Sequence, residues 1–222
     1  MIHPVERNIV GYTSTIQVIS YNKKLLSENI VPNQWEDFLK PEFKGRKFVV
    51  DTRPYAIAAL VPAWGLEKTL DFSRKIAAQQ PVWGSSVTRI TAAILAGEYS
   101  LHLGSNFNSV KRAISKDATG SLSYRIIEPV PTRMVARGDA ILPQADHPYA
   151  ALLWFEFLAS AEGQEILDKY EPFKASVFTP GSVAEQITRG KKLSAVDWQH
   201  YTKTQEHQGK VIEAFGFPKA DR

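Results

Sequence analysis

The chain has 222 residues, 44% of them hydrophobic and 23% charged, with a formal net charge of +4 and an isoelectric point near 9.2. That composition supplies a sizeable core and excludes wholesale disorder, and the absence of cysteine excludes disulfides, thiolate metal sites and cysteine nucleophiles. The bases are dispersed among acids, with no run longer than Lys23-Lys24 or Lys191-Lys192, so the charge reads as a solvated surface and not as a nucleic-acid stripe.

Ile16–Tyr21, rich in β-branched and aromatic residues, reads as a strand. Asn33 with Glu36 three residues later reads as a capping box opening a helix through Trp35, Phe38 and Leu39, which Pro41 stops. Lys47–Val50 is a short buried strand. Asp51-Thr52-Arg53-Pro54 then opens a helix through Ala56–Trp64, with Asp51 or Thr52 as cap and Pro54 in the first turn. Leu66–Gln80 is an amphipathic helix, Pro81–Gly84 a break, and Val87–Ala96 a helix capped by Ser85-Ser86 and stopped by Gly97. Tyr99–Leu103 is a strand, Gly104–Ser109 a loop, Val110–Lys116 a helix and Tyr124–Glu128 a strand. Pro129–Pro131 reads as an extended connector, Met134–Ala136 and Ala140–Pro143 as short strands, and Tyr149–Leu158 and Ala161–Leu167 as helices. The segment Val183–Phe215 reads as mostly helical and polar. Alternating strands and helices predict an α/β protein with a mostly parallel sheet flanked by helices. No apolar stretch approaches the roughly 20 residues of a membrane span, and Met1–Arg7 lacks the apolar segment of a signal peptide.

Four segments, in order, resemble the ferric-iron-binding-protein-like branch of the type 2 periplasmic solute-binding proteins. Tyr21-Asn22-Lys23 matches a strand end of that branch. Val31–Arg46, reading VPNQWEDFLKPEFKGR, is similar to its P-x-x-W-x-D-L-x-x-P-x-[FW]-K-G segment. Ala92–Tyr99 resembles a helix end written A-x-G-E-[YW], and His147–Ala151 leading to Leu158–Gln164 resembles H-P-N-A-A followed by FLLS-x-E-G-Q. The resemblance implies a two-lobed protein that binds a small solute in an interlobe cleft, delivers it to ABC transporter permease subunits and works in the periplasm. It implies a crossing segment and hinge over 1–20, a complete middle lobe over 21–124, and a return over 125–222 to a first lobe whose opening part is absent. The returning helices near Trp154 and Phe155 would then expose an apolar face, which a homodimer could cover.

Ligands of such sheets sit at the carboxyl ends of strands near helix N-termini. Thr52 and Arg53, Ser85, Ser86 and Arg89, and Asn106 and Asn108 occupy such loops, while Thr13 and Ser14 precede the crossing strand. Each has an ordinary alternative: helix capping for the serines, surface ion pairing for the arginines, a turn for Thr13 and Ser14. The iron-binding branch places adjacent tyrosines after the strand near Leu103, where this chain has Asn106-Phe107-Asn108. Phenylalanine offers a hard cation no oxygen, so a small organic anion is expected in place of ferric iron, with no cofactor. The five histidines form no metal spacing, and no GxSxG, P-loop or GxGxxG occurs, so no enzyme is expected.

Overall fold

The computed structural model describes residues 9–134, 138–171 and 174–217. Short strand β1 (Ile9–Val10) is followed by the long β2 (Thr15–Asn22), two short 3-10 turns, then β3 (Val49–Asp51), α1 (Tyr55–Ala58), α2 (Val61–Trp64), α3 (Leu66–Ala78), β4 (Val82–Gly84), α4 (Val87–Ala96), β5 (Leu101–Asn106) and α5 (Phe107–Ile114). The chain continues through β6 (Leu122–Arg125), β7 (Val130–Arg133), β8 (Asp139–Ala140), α6 (Pro148–Ala159), α7 (Ala161–Tyr170), α8 (Val183–Thr188), β9 (Leu193–Val196), α9 (Trp198–Tyr201) and α10 (Thr204–Ala214).

Seven strands form one sheet in the order β4-β3-β5-β2-β7-β9, with β6 also pairing β2; β1 and β8 pair separately. Parallel pairing holds at β4–β3–β5 and β7–β9. About β2 the sheet is antiparallel, so it is mixed and departs from the mostly parallel arrangement expected. β2 joins two groups of strands. Its first two residues, Thr15 and Ile16, pair with β7; Gln17–Asn22 pair with β5 and β6.

Alternation along the strands loads both faces. Ile19 and Tyr21 of β2, Val50 of β3, and Leu101 and Leu103 of β5 point to one side, against α1, α3 and α10. There Phe38, Phe43 and Phe48 pack ring to ring, at 5.1 Å between Phe38 and Phe48. Val18, Val49, Ile90, Ile94 and Phe107 fill the other side beneath α4 and α5. Both faces are covered, so these strands read as apolar runs and not as half-exposed alternations.

Several local expectations shift for physical reasons. The first 3-10 turn, Trp35–Leu39, starts after Gln34, and the Asp37 carboxylate accepts from the backbone N–H groups of Asn33 and Gln34 at 2.8 and 3.1 Å, so Asp37 and not Glu36 closes the cap. The helix expected over Ala56–Trp64 is two short helices, because Pro62 cannot donate its missing N–H within a continuous helix. The expected break at Pro81–Gly84 contains β4, the connector Pro129–Pro131 enters β7, and the supposedly helical tail contains β9. The loop expected over Gly104–Ser109 is the end of β5 and the start of α5. The strand expected over Met134–Ala136 lies outside the described residues except for Met134, which sits in a bend, and the strand expected over Ala140–Pro143 ends at Ala140 in β8.

α6 reads PYAALLWFEFLA, apolar almost all round, yet only Leu158 is buried. Tyr149 is 85% exposed, Leu153 68% and Trp154 55%, which is the exposed apolar face expected of the returning helices.

Candidate functional site

The carboxyl ends of β4, β3 and β5 lie side by side and open onto one cleft, where the loop after β3 is the central element. The backbone N–H of Thr52 donates to the carbonyl of Gly84 at 2.7 Å, tying the ends of β3 and β4 together. The buried Asp51 carboxylate accepts from the backbone N–H of Arg53 at 2.8 Å and from its guanidinium Nε and Nη2 at 3.2 and 3.1 Å. Asp51 therefore shapes the loop as an Asx turn and is not the helix cap; α1 begins after Pro54. The hydrogen bond that its guanidinium donates to Asp51 raises the Arg53 pKa.

Gln17 of β2 and Asn106 of β5 face each other across the strand pair, and the Gln17 Nε2 donates to the Asn106 Oδ1 at 2.6 Å. With Asp51, Arg53, Tyr55 and Val87 they line the cleft. Gly104 makes this arrangement possible. The β2–β5 register shifts between Val18 and Ser20, and Gly104 takes the extra position with φ +91°. A Cβ there would stand 2.3 Å from the Cβ of Ala56.

The nine expected site residues distribute as follows. Arg53 and Asn106 line the cleft, and Thr52 lies in the loop beside it. Ser86 caps α4, accepting from the Arg89 N–H at 3.5 Å; Ser85 and Arg89 are exposed. Asn108 falls in the first turn of α5 with its Oδ1 buried and unpaired. Thr13 and Ser14 are not among the residues that line the cleft. Thr13 bridges to Ala175, and the Ser14 hydroxyl donates to the Met134 carbonyl and accepts from the Val177 N–H. Gln17 and Tyr55 were missed. A lone amide within the apolar run Ile16–Tyr21 was the available signal for Gln17.

Phe107 is 1% exposed and packs edge-on to Tyr124 at 5.3 Å, on the opposite face of the sheet from the first core cluster. Among the described residues no three His, Cys, Asp or Glu side chains gather as a metal-binding group. Beneath the cleft, His102 of β5 is fully buried, its Nδ1 2.5 Å from the Ser105 Oγ, which lies 2.9 Å from the Ser20 Oγ. Burial pushes its pKa down to about 4 against an opposing pull from the Asp51 charge.

A family model described as bacterial extracellular solute-binding protein matches residues 2–204. The chain belongs to that family. Its members serve ABC transporters as binding proteins and not as enzymes. The solved structures agree in fold. The ferric binding protein from Campylobacter jejuni superposes with a TM-score of 0.75 at 18% identity, over 98% of this chain and 73% of that one. Iron-bound HitA from Pseudomonas aeruginosa gives 0.69 at 18%, over 93% and 70%. The substrate binding protein of an ABC transporter from Agrobacterium tumefaciens gives 0.70 at 14%, over 96% and 69%. The α/β fold is thus that of the type 2 periplasmic binding proteins, and the chain spans about seven-tenths of these relatives' length. No curated protein matches the chain by sequence.

Proposed function

We propose that the chain is the solute-binding component of an ABC importer, working in the periplasm with permease subunits, and that its solute is a small organic anion held at the cleft above β3, β4 and β5. The observation that carries this reading is the convergence of Arg53 with the Gln17–Asn106 amide pair on one crevice at the carboxyl ends of parallel strands. Asp51 occupies Nε and Nη2 of Arg53, so Nη1 remains for a ligand carboxylate, phosphonate or sulfonate. Ferric iron fits poorly: Phe107 is buried and brings no oxygen donor to the position where the iron-binding branch has tyrosine. Thr52 and the first turn of α4 at Ser85, Ser86 and Arg89 stand around the same strand ends and complete the proposed loop set.

The pairing of β2 supports reading residues 1–20 as the crossing segment: the change of partner from β7 to β5 and β6 falls between Ile16 and Gln17. The middle lobe would then be 21–124 and the return 125–222.

Unfolding followed by circular dichroism, against a panel of small organic acids, tests the solute class. A bound ligand at 100 times its dissociation constant adds about 2.7 kcal/mol, which raises the melting temperature by roughly 5–10 °C for a chain of this size. Asn106→Ala and Gln17→Ala are expected to remove that shift. Stabilisation by ferric citrate or neutral sugars alone, with none from the acids, overturns the reading.

The exposed apolar residues of α6 support a homodimer. Light scattering at tens of micromolar should return twice the 24.9 kDa chain mass; a monodisperse monomer overturns this part of the proposal.

A further inference from the structure

A second pocket shares Tyr55 with the cleft, and the arginine in it has no acidic partner among the described residues. Arg133 closes β7, where it pairs in register with Val196 of β9 and Thr15 of β2. Its guanidinium carbon lies 5.9 Å from the centre of the Tyr55 ring, matching the distance of Arg53 from that ring. The resemblance ends there. Arg53 is held by Asp51. The Nε of Arg133 is buried with no hydrogen-bond partner, and among the described residues no carboxylate pairs with it. A guanidinium is always charged and presents fixed donors, so leaving one partly buried and unpaired costs free energy unless something occupies the space it faces.

That space is lined by Tyr55, Arg133, His200, His207 and Gln208 around a floor of small residues from α1 and α2. Burial is the main cause that lowers the His207 pKa; Glu206 opposes it, and His200, Lys210 and Lys203 add to it as like charges. Glu206 is in turn paired with Lys210 at 2.6 Å, and the Asp197 carboxylate with the His200 Nδ1 at 2.8 Å. Each nearby acid already has a cation or backbone donors, which leaves Arg133 as the surplus charge.

We propose that this pocket is a separate binding site for a small oxyanion such as inorganic phosphate, with Arg133 as the charged donor and the Gln208 amide as a neutral one. It goes beyond the cleft reading, since Tyr55 is the shared wall and the ligand here would not touch Gln17 or Asn106.

Isothermal titration of the full chain with inorganic phosphate, at constant ionic strength, tests the site. One saturable site per chain is expected. Arg133→Gln should weaken it at least about ten-fold, the loss of a charge-assisted donor, while Lys24→Gln, which removes an exposed charge elsewhere, should leave it unchanged. Gln208→Glu keeps a good helix former on α10 and places a carboxylate beside Arg133, so it should abolish binding even if Arg133→Gln fails to fold. Absence of saturable binding in the wild type, or unchanged affinity in Gln208→Glu, overturns the proposal. Failure of the organic-acid panel with retained, Arg133-dependent phosphate binding would sink the cleft reading and leave this one standing.

Discussion

Gly104→Ala should lower the melting temperature by about 10 °C. Two costs combine. A left-handed backbone in an L-residue costs roughly 1–2 kcal/mol, and Gly104 has φ +91°. The added methyl would also stand 2.3 Å from the Ala56 Cβ, an overlap that forces β5 and α1 apart at a cost of about 1–3 kcal/mol. For a chain of 150–250 residues each kcal/mol is worth roughly 2–4 °C. Gly45→Ala is the matched control: its φ is +77°, and nothing lies within 4 Å of the new Cβ, so only the backbone cost applies. Thermal melts of the two variants should differ by several degrees, and equal losses would show that the contact with α1 does not matter. Because Gly104 also lines the cleft, its variant should lose solute binding along with stability.

Acid should weaken the fold well above the range in which carboxylates titrate. His102 titrates near 4 in the native state and near 6.5 once exposed by unfolding. Between those values the unfolded chain binds a proton that the native chain refuses, so stability is complete above about pH 6.5 and falls as the pH drops toward 4. The difference amounts to about 3 kcal/mol. His207, also lowered by burial, pulls in the same direction. Urea midpoints at pH 7.5, 6.5, 5.5 and 4.5 should fall steadily in the wild type, and His102→Gln should remove most of the slope. A wild-type midpoint that is flat over this range would contradict the burial argument. The tautomer follows from the same geometry. A buried orphan N–H is rarer than an orphan lone pair, so Nδ1 is assigned as the donor to Ser105 and the unpaired Nε2 as the bare nitrogen.

What could be read from the sequence was what neighbouring residues decide. α4 has the expected bounds, Val87–Ala96, because Ser86 supplies its cap and Gly97, at φ +82°, its stop. β4 and β9 could not be read that way. Each has only three or four residues, β4 is hemmed by Pro81 and Gly84, and β9 follows the polar run Gly190-Lys191-Lys192. They become strands because β3 and β7, distant in sequence, offer parallel edges. The same division runs through the site. Arg53 and Asn106 were visible as polar residues in loops after strands. Gln17 meets Asn106 across 89 residues, Arg133 meets Tyr55 across β7 and α1, and no local pattern encodes either meeting. Ser14 shows the same limit: its hydroxyl is engaged by Met134 and Val177, neither of them close in sequence.

The central strand of the sheet precedes every strand it pairs with along the chain. β2 ends at Asn22, and β7, the last of its three partners, ends at Arg133, 111 residues later. At roughly 5–20 residues per second of synthesis, β5, the first of those partners, is complete about 4–17 s after β2, and β7 about 6–22 s after it. Until β5 and β6 are made, Val18, Ile19 and Tyr21 have no ladder to join, and closing such long loops is slow even afterwards. The residues of β2 that end in the core are therefore made well before the strands that cover them, and the sheet closes late.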